Sequence, residues 1–341
     1  MKIPELWVSI DKRGFTSHNI KELLENNIAG IRFNTGRCSY VWIYEILEEL
    51  NKLNYPLSNI LLDIGNTKPR LNLIDENGLS LAKDTLFIIS DRENDGVHAL
   101  LKHLHFFEKI KTNDIVYFAD GEIEAIVEEI NKNMIVLRSL SIGRLGNNVA
   151  IGIKGKDFFK FNIDEKEILE VNSLLERFPV SIILSFVEDG DNIVWAKNTF
   201  PKAASIIPKI ETATAVHNLD SILVQSDTIF IGRGDLGLSL GIEKIGIIQK
   251  ILISKAQSSG CKISIGTGTL DSLKWSEIPL RAEIIDITNS CLEGIDYITL
   301  TSETAASQNP FKVINFLKKT LNYIKDLEKD TNITPFIGKV L

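Results

Sequence analysis

The chain has 341 residues, 44% hydrophobic and 24% charged, with a formal net charge of −7; this balance fits a globular chain with a sizeable core and excludes a disordered one. The negative sign argues against a sequence-independent grip on nucleic acid or an anionic membrane surface and leaves a local basic cleft open. No apolar run is long enough for a bilayer crossing and MKIPELWVSIDKRG carries no secretory pattern, so a cytoplasmic protein is expected.

In chain order, LWVSI at 6–10 precedes the helical stretch HNIKELLENN, GIRFN at 30–34 precedes YVWIYEILEELNKLN, and NILLDI ends at 64. Apolar runs alternating with amphipathic stretches predict parallel strands covered on both faces. Between about 69 and 156 the alternation gives way to short strands and turns, among them DIVYFADGEIEAIVEEI, NKNMIVLRSLSI and VAIGIKG. From 165 it resumes: EKEILEVNSLLERF, SIILSF, DNIVWAKNTF, ASIIPKIE, AVHNLDSILVQS, TIFIGRG, GIEKIGIIQKILISKAQSS, CKISIGT, RAEIIDITNSCLEG, YITLTSE and PFKVINFLKKTLNYIKDL. Eight such strands predict an α/β fold, a TIM (β/α)8 barrel with a small all-β lid domain inserted after strand three. The expected boundaries are 1–68 for the first part of the barrel, 69–156 for the insertion and 157–341 for the second part. A doubly wound sheet is the alternative, but SIDKRG after the first strand is no glycine-rich fingerprint.

Cys38, Cys261 and Cys291 form no CxxC pair, so neither a disulfide framework nor a structural zinc site is expected. His98, His103 and His105 complete no recognised ligand spacing and read as surface or helix-packing residues.

In such a barrel the chemistry collects at the C-terminal strand ends. Within IIPKIETAT, side chains alternate faces, so Lys209 and Glu211 project to one side and Ile210 to the other. Strand six ends in IGRGDLG at 231–237, strand seven at Thr267, strand eight at TSET, strand two at Arg32 and Asn34, and strand three at Asp63. Glu211 and Asp235 offer two carboxylates to one hard cation, Mg2+ or Mn2+. The backbone N–H groups of Gly234 to Gly237 suit a substrate carboxylate or phosphate, and Lys209 suits an enolate or a transferring phosphoryl group. The bland alternatives are an ion pair plugging the barrel mouth and an ordinary glycine turn.

IIPKIE at 206–211, GRGDLG at 232–237 followed by EK and a helix with QK, RAE at 281–283 and SETA at 302–305, with looser IRFNTG at 31–36 and LLDIGNTKPR at 61–70, resemble the pyruvate kinase family. The resemblance runs in order over nearly the whole chain. It implies that Glu211 and Asp235 are magnesium ligands, that Lys209 stabilises phosphoryl and enolate charge, and that Gly234 with Asp235 cradles the substrate carboxylate. It further implies Thr267 near the face where the enolate is protonated, Arg32 on the transferring phosphoryl group, and Arg70 and Arg37 on the nucleotide side. Asn34 and Asp63 correspond to two monovalent-cation ligands.

Several positions depart from that family. Gly36 and Ile64 replace two oxygen donors of the potassium site. Lys68 stands where potassium-dependent members carry glutamate, so its ammonium is expected to take the vacant position and K+ not to be required. On the nucleotide side Gly65 replaces a lysine, Arg37 a histidine, Gly268 a glutamine, Glu188 a basic residue, and Asn147 to Ala150 a Lys-Gly-Val-Asn run. The family continues into an effector-binding C-terminal domain while this chain ends at Leu341; loss of that control and of one subunit contact is expected, and a homo-oligomer stays open. The implied function is Mg-dependent phosphoryl transfer between phosphoenolpyruvate and ADP, giving pyruvate and ATP, with no nucleic-acid or membrane partner. The rivals are a diverged enzyme of phosphoenolpyruvate or a 2-oxo acid, a lyase or one with a non-ADP acceptor, and a non-catalytic binding protein.

Overall fold

The computed structural model describes residues 2–16, 19–65, 68–75, 77–156 and 160–327. They fall into two compact units: one within Met1–Asn66, Phe161–Gly234 and Ile245–Leu341, the other within Thr67–Lys160 and Asp235–Lys244.

The first unit contains a closed barrel of eight strands: β1 Glu5–Ser9, β2 Gly30–Asn34, β3 Ile60–Ile64, β4 Ser181–Leu184, β5 Ile206–Ile210, β6 Thr228–Gly232, β7 Lys262–Gly266 and β8 Tyr297–Leu300. Each is parallel to its chain neighbour, and β1 pairs with β8, Glu5 opposite Tyr297. The α/β barrel expected from the alternation is therefore present. Every residue of β3 and β5 is buried, as strands sandwiched between a barrel core and outer helices require.

The interior is filled by Trp7, Leu61, Ile183, Ile207 and Phe230, with Tyr297 stacked on Trp7 at a ring distance of 4.2 Å. Two glycines make room for these rings. A Cβ at Gly30 would lie 2.6 Å from Trp7 Cδ1, and one at Gly266 would lie 2.5 Å from Phe230 Cζ. Outside, the helix Tyr40–Lys52 buries Ile43, Ile46, Leu47 and Leu50, the stripe spacing of an amphipathic helix, and starts at Ser39, whose Oγ accepts from Trp42 N. The helix Glu165–Leu175 is capped in the same way by Asp164, at 2.7 Å from Glu167 N.

The second unit has its own closed seven-stranded barrel, ordered Met134–Ser139, Leu86–Ser90, Ala99–Leu100, Arg70–Leu73, Val149–Ile153, Ile115–Phe118 and Ile123–Asn131. Phe87, Phe118, Val116, Val127 and Leu137 are among its buried core. A turn at Ala119–Gly121 splits the run DIVYFADGEIEAIVEEI into two of these strands. His98 Nδ1 accepts from Ile88 N at 3.2 Å, a backbone-satisfying role. Residues 235–244, which chain order alone places in the barrel, group with the insertion; Gly155 N donates to Leu238 O at 3.4 Å.

Replacing Gly30 by valine forces a branched side chain into the Trp7 and Leu61 contacts. The expected outcome is an unfolding free energy lower by about 1–3 kcal/mol, measured by denaturant titration against wild type.

Candidate active site

Four of the expected strand-end residues, Lys209, Glu211, Asp63 and Arg32, come together in the first unit. Lys209 is 6% exposed and Glu211 2%. Lys209 Nζ lies 2.8 Å from Glu211 Oε1, donates to Ser185 Oγ at 3.2 Å and stands 3.4 Å from Asp63 Oδ2. Asp63 is fully buried: its Oδ2 accepts from Arg32 Nε at 2.9 Å and Nη2 at 2.5 Å, and its Oδ1 accepts from Ser185 Oγ at 2.9 Å. Arg32 Nη1 donates to Ser9 Oγ at 2.7 Å. The Ser185 hydroxyl thus gives its one proton to Asp63 and accepts from Lys209.

The chain places these groups by local means. Glu211 follows β5 directly, and the next residue, Thr212, ends the extended segment by capping the helix Ala213–His217 through Ala215 N at 3.1 Å. A Cβ at Gly232 would sit 2.7 Å from Glu211 Cγ and 2.8 Å from its Oε1, so the first glycine of GRGDLG keeps open the space the carboxylate fills. The other oxygen, Oε2, accepts from Phe186 N at 3.0 Å.

Two cations and two carboxylates buried together balance one another. Burial alone would raise the Asp63 carboxyl, but Lys209 and Arg32 hold it below its ordinary value. Burial likewise opposes the charge on Lys209, yet Asp63 and Glu211 keep its ammonium above its ordinary value.

A second cluster surrounds Thr267, which has φ of +75°, a left-handed conformation rarely taken by a β-branched residue. Arg233 holds that conformation in place, donating from Nε at 3.0 Å and Nη2 at 2.8 Å to Thr267 O, and is itself anchored by Asp286 Oδ2 at 2.7 Å. The helix Arg233–Leu240 begins at the residue after β6. A Cβ at Gly234 would lie 3.1 Å from Thr267 Cγ2, so this glycine lets helix and threonine approach closely.

Asn34 Oδ1 accepts from Gly36 N at 3.0 Å, and Arg37 is exposed. In the second unit Arg70 Nη1 donates to Asn148 O at 3.0 Å. In the second unit Lys68 Nζ lies 2.6 Å from Asp235 Oδ1; in the first, Asp63 meets Lys209 and Arg32.

Three residues of these networks, Ser9, Ser185 and Glu167, are absent from the strand-end reading. Ser9 and Ser185 are single hydroxyls in apolar runs, and only their position at strand ends, level with charged neighbours, marks them. Glu167 accepts from Thr35 Oγ1 at 2.6 Å and Gly65 N at 3.2 Å, joining the ends of β2 and β3; its burial raises its carboxyl. Glu303, fully buried, accepts from Thr269 N at 2.9 Å and Thr301 N at 2.6 Å, which gives the glutamate of SETA a structural use.

The family profile "Pyruvate kinase, barrel domain" matches residues 10–314. The chain belongs to the pyruvate kinase family. The pyruvate kinase of Thermotoga maritima is 26% identical over 352 residues, covering 97% of this chain and 74% of that protein. That of Pyrobaculum aerophilum is 26% identical over 306 residues, covering 86% and 65%, and that of Bacillus licheniformis 29% over 335 residues, covering 92% and 57%. The chain thus spans between 57% and 74% of the length of these three curated relatives. The crystal structure of Cryptosporidium parvum pyruvate kinase shares the fold, with a TM-score of 0.83 at 24% identity over 94% of this chain and 70% of that one.

Pyruvate kinases use a divalent metal. Glu211 in the first unit and Asp235 in the second are each hard oxygen donors of the kind such an ion takes.

Asp63→Asn removes one charge of the buried set and is expected to cost about 3–5 kcal/mol of stability at neutral pH. Because the folded carboxyl is held below its ordinary value, its contribution is present above the unfolded value of about 3.9 and is lost as pH falls through the folded value. The gap between wild type and variant, followed by denaturant unfolding, should therefore narrow below about pH 4.

Proposed function

We propose that this chain is a magnesium-dependent phosphotransferase that moves a phosphoryl group between phosphoenolpyruvate and ADP, with the enolate of pyruvate between phosphoryl transfer and protonation. The observation that carries this reading is the buried Lys209 ammonium, fixed by Glu211 at 2.8 Å and by Ser185 at 3.2 Å at a strand end of the barrel. A preorganised cation in a dry site stabilises charge that grows in the transition state without reorganising.

In the direction of ATP formation the bond between phosphorus and the enol oxygen breaks, a bond between phosphorus and a β-phosphate oxygen of ADP forms, and the electron pair left on the enol oxygen gives the enolate. Lys209 steadies that oxygen and Arg32 the transferring group. The first N–H groups of the helix Arg233–Leu240, at Gly234 and Asp235, have no partner within the helix and receive the substrate carboxylate. Thr267, held in position by Arg233, stands where the enolate carbon takes its proton. Glu211 and Asp235 would hold the magnesium ion, which supplies Lewis-acid stabilisation of phosphoryl and enolate oxygens. Arg70 and Arg37 serve the nucleotide side. Since both oxygens of Asp63 are committed to Arg32, Ser185 and Lys209, a potassium ion is not required.

A second reading has the same donor but another acceptor. It is favoured by Arg70, whose Nη1 is directed to the Asn148 carbonyl, and by Gly65 where the family has a lysine. A pyruvate-forming assay with magnesium and phosphoenolpyruvate, run with ADP, GDP and no nucleotide, separates the two: strict dependence on ADP supports the first, and turnover without nucleotide supports the second. No turnover in any arm contradicts the first.

Two further outcomes follow from the site. Lys209→Met should lower kcat and kcat/KM together by about 10²–10³-fold, because the contact acts mainly in the transition state. Exchanging sodium for potassium should leave the rate unchanged; a large gain in potassium would show that Asp63 is free to bind it.

A further inference from the structure

The carboxylate of Glu167 joins three pieces of the first unit that the charged strand-end network does not reach. Its backbone is set by the start of the helix Glu165–Leu175, where Asp164 Oδ1 accepts from Glu167 N at 2.7 Å. From there Oε1 accepts from Thr35 Oγ1 at 2.6 Å and Oε2 from Gly65 N at 3.2 Å, so each oxygen holds a different strand end. Gly65 turns out of β3 with φ of +74° and packs on the residues leading into the helix: a Cβ there would lie 3.3 Å from Ile163 Cγ1. The buried hydroxyl of Tyr40, first residue of the helix Tyr40–Lys52, lies beside Thr35 and Glu167. One turn on, Tyr44 Oη donates to Ser173 Oγ at 3.4 Å, so the two helices flank the same clasp.

The clasp holds the turn that follows β2. Within that turn the hydrogen bonds converge on Asn34, whose backbone oxygen accepts from Arg37 N and Cys38 N, both at 2.9 Å, and whose Oδ1 accepts from Gly36 N at 3.0 Å. Among the described residues, Glu167 is the one side chain from outside the turn that accepts a hydrogen bond from it. Arg37 stands exposed two residues beyond Thr35. By contrast, Arg32, Asp63 and Lys209 fix one another, with Ser185, and take no contact from Glu167.

We propose that Glu167 is a positioning residue for the nucleotide side: by hydrogen bonding Thr35 and Gly65 together it fixes the turn that presents Arg37 to the phosphoryl acceptor. The inference rests on the phosphotransferase reading and on Arg37 as a nucleotide-side residue. The role is one of hydrogen-bond geometry and not of charge. A glutamine in its place still satisfies both neighbours: its carbonyl accepts from Gly65 N, its amide donates to Thr35 Oγ1, and the threonine proton turns to Asp63 O, 3.0 Å away. An alanine satisfies neither. Loss of the clasp loosens Arg37 equally in the ground state and the transition state, which raises KM for the nucleotide and leaves kcat.

The test uses the full chain with magnesium, phosphoenolpyruvate and ADP, each substrate varied in turn, together with hydrogen exchange at the Gly65 amide, which needs no turnover. Glu167→Ala is expected to raise KM for ADP on the order of tenfold, the size of one hydrogen bond to a charged group. It should leave kcat and the KM for phosphoenolpyruvate near wild type and speed exchange at Gly65, and Glu167→Gln should restore wild-type behaviour. Thr35→Val, which removes one arm of the clasp, should raise KM for ADP likewise and add little to Glu167→Ala; it carries the test if circular dichroism shows Glu167→Ala to be unfolded. An unchanged KM for ADP, a fall in kcat as large as the rise in KM, or a Glu167→Gln variant that behaves like Glu167→Ala overturns the positioning role. Wild type without ADP-dependent turnover overturns the phosphotransferase reading and the nucleotide role with it, while exchange at Gly65 still decides the clasp: an unchanged rate in Glu167→Ala overturns it.

Discussion

Two cations and two carboxylates share the end of a closed barrel almost without access to water, and most of the site's architecture follows from that constraint. An unpaired charge at such depth is strongly destabilising, so each must meet an opposite charge with good hydrogen-bond direction. Arg32 from β2, Asp63 from β3 and Lys209 from β5 satisfy this through Ser185 beyond β4. The strand register is thereby fixed from within: Arg32 pairs opposite Ser9 on one side and Leu61 on the other, and Asp63 opposite Ile183. A slip of one residue in β5 would turn Lys209 toward the outer helices and leave Asp63 with half its counter-charge.

The same arrangement suits transfer of a charged group. A set of ionic groups already desolvated and held in place has little left to reorganise when a reaction moves charge through it. Glycine and strained backbone complete the geometry. Gly232 leaves room for the Glu211 carboxylate, and Thr267 keeps a positive φ because two N–H groups of Arg233 hold its carbonyl. Such strain persists where surrounding contacts over-determine it.

The barrel was legible in the sequence because buried parallel strands read as apolar runs between amphipathic helices, and the insertion because that rhythm stops. Lys209 and Glu211 were legible for a related reason: alternation puts both on one face of a strand whose other residues are apolar. Ser185 was not, since one serine beside SIILSF has the same pattern whether it caps a strand or links two charges. Glu167 and Glu303 illustrate the same limit, because their worth lies in backbone N–H groups on other segments, and no side-chain pattern records those.

Closure of the barrel through β1 and β8, with Glu5 opposite Tyr297, also orders events at the ribosome. The first strand has one edge without a mate until Tyr297–Leu300 has been translated. The intervening seven-stranded barrel draws its strands from a single uninterrupted stretch, Arg70 to Ile153, and can assemble while translation continues. Nascent chains of this protein therefore carry an open, sticky sheet edge until that eighth strand is made, the kind of surface that holding chaperones recognise.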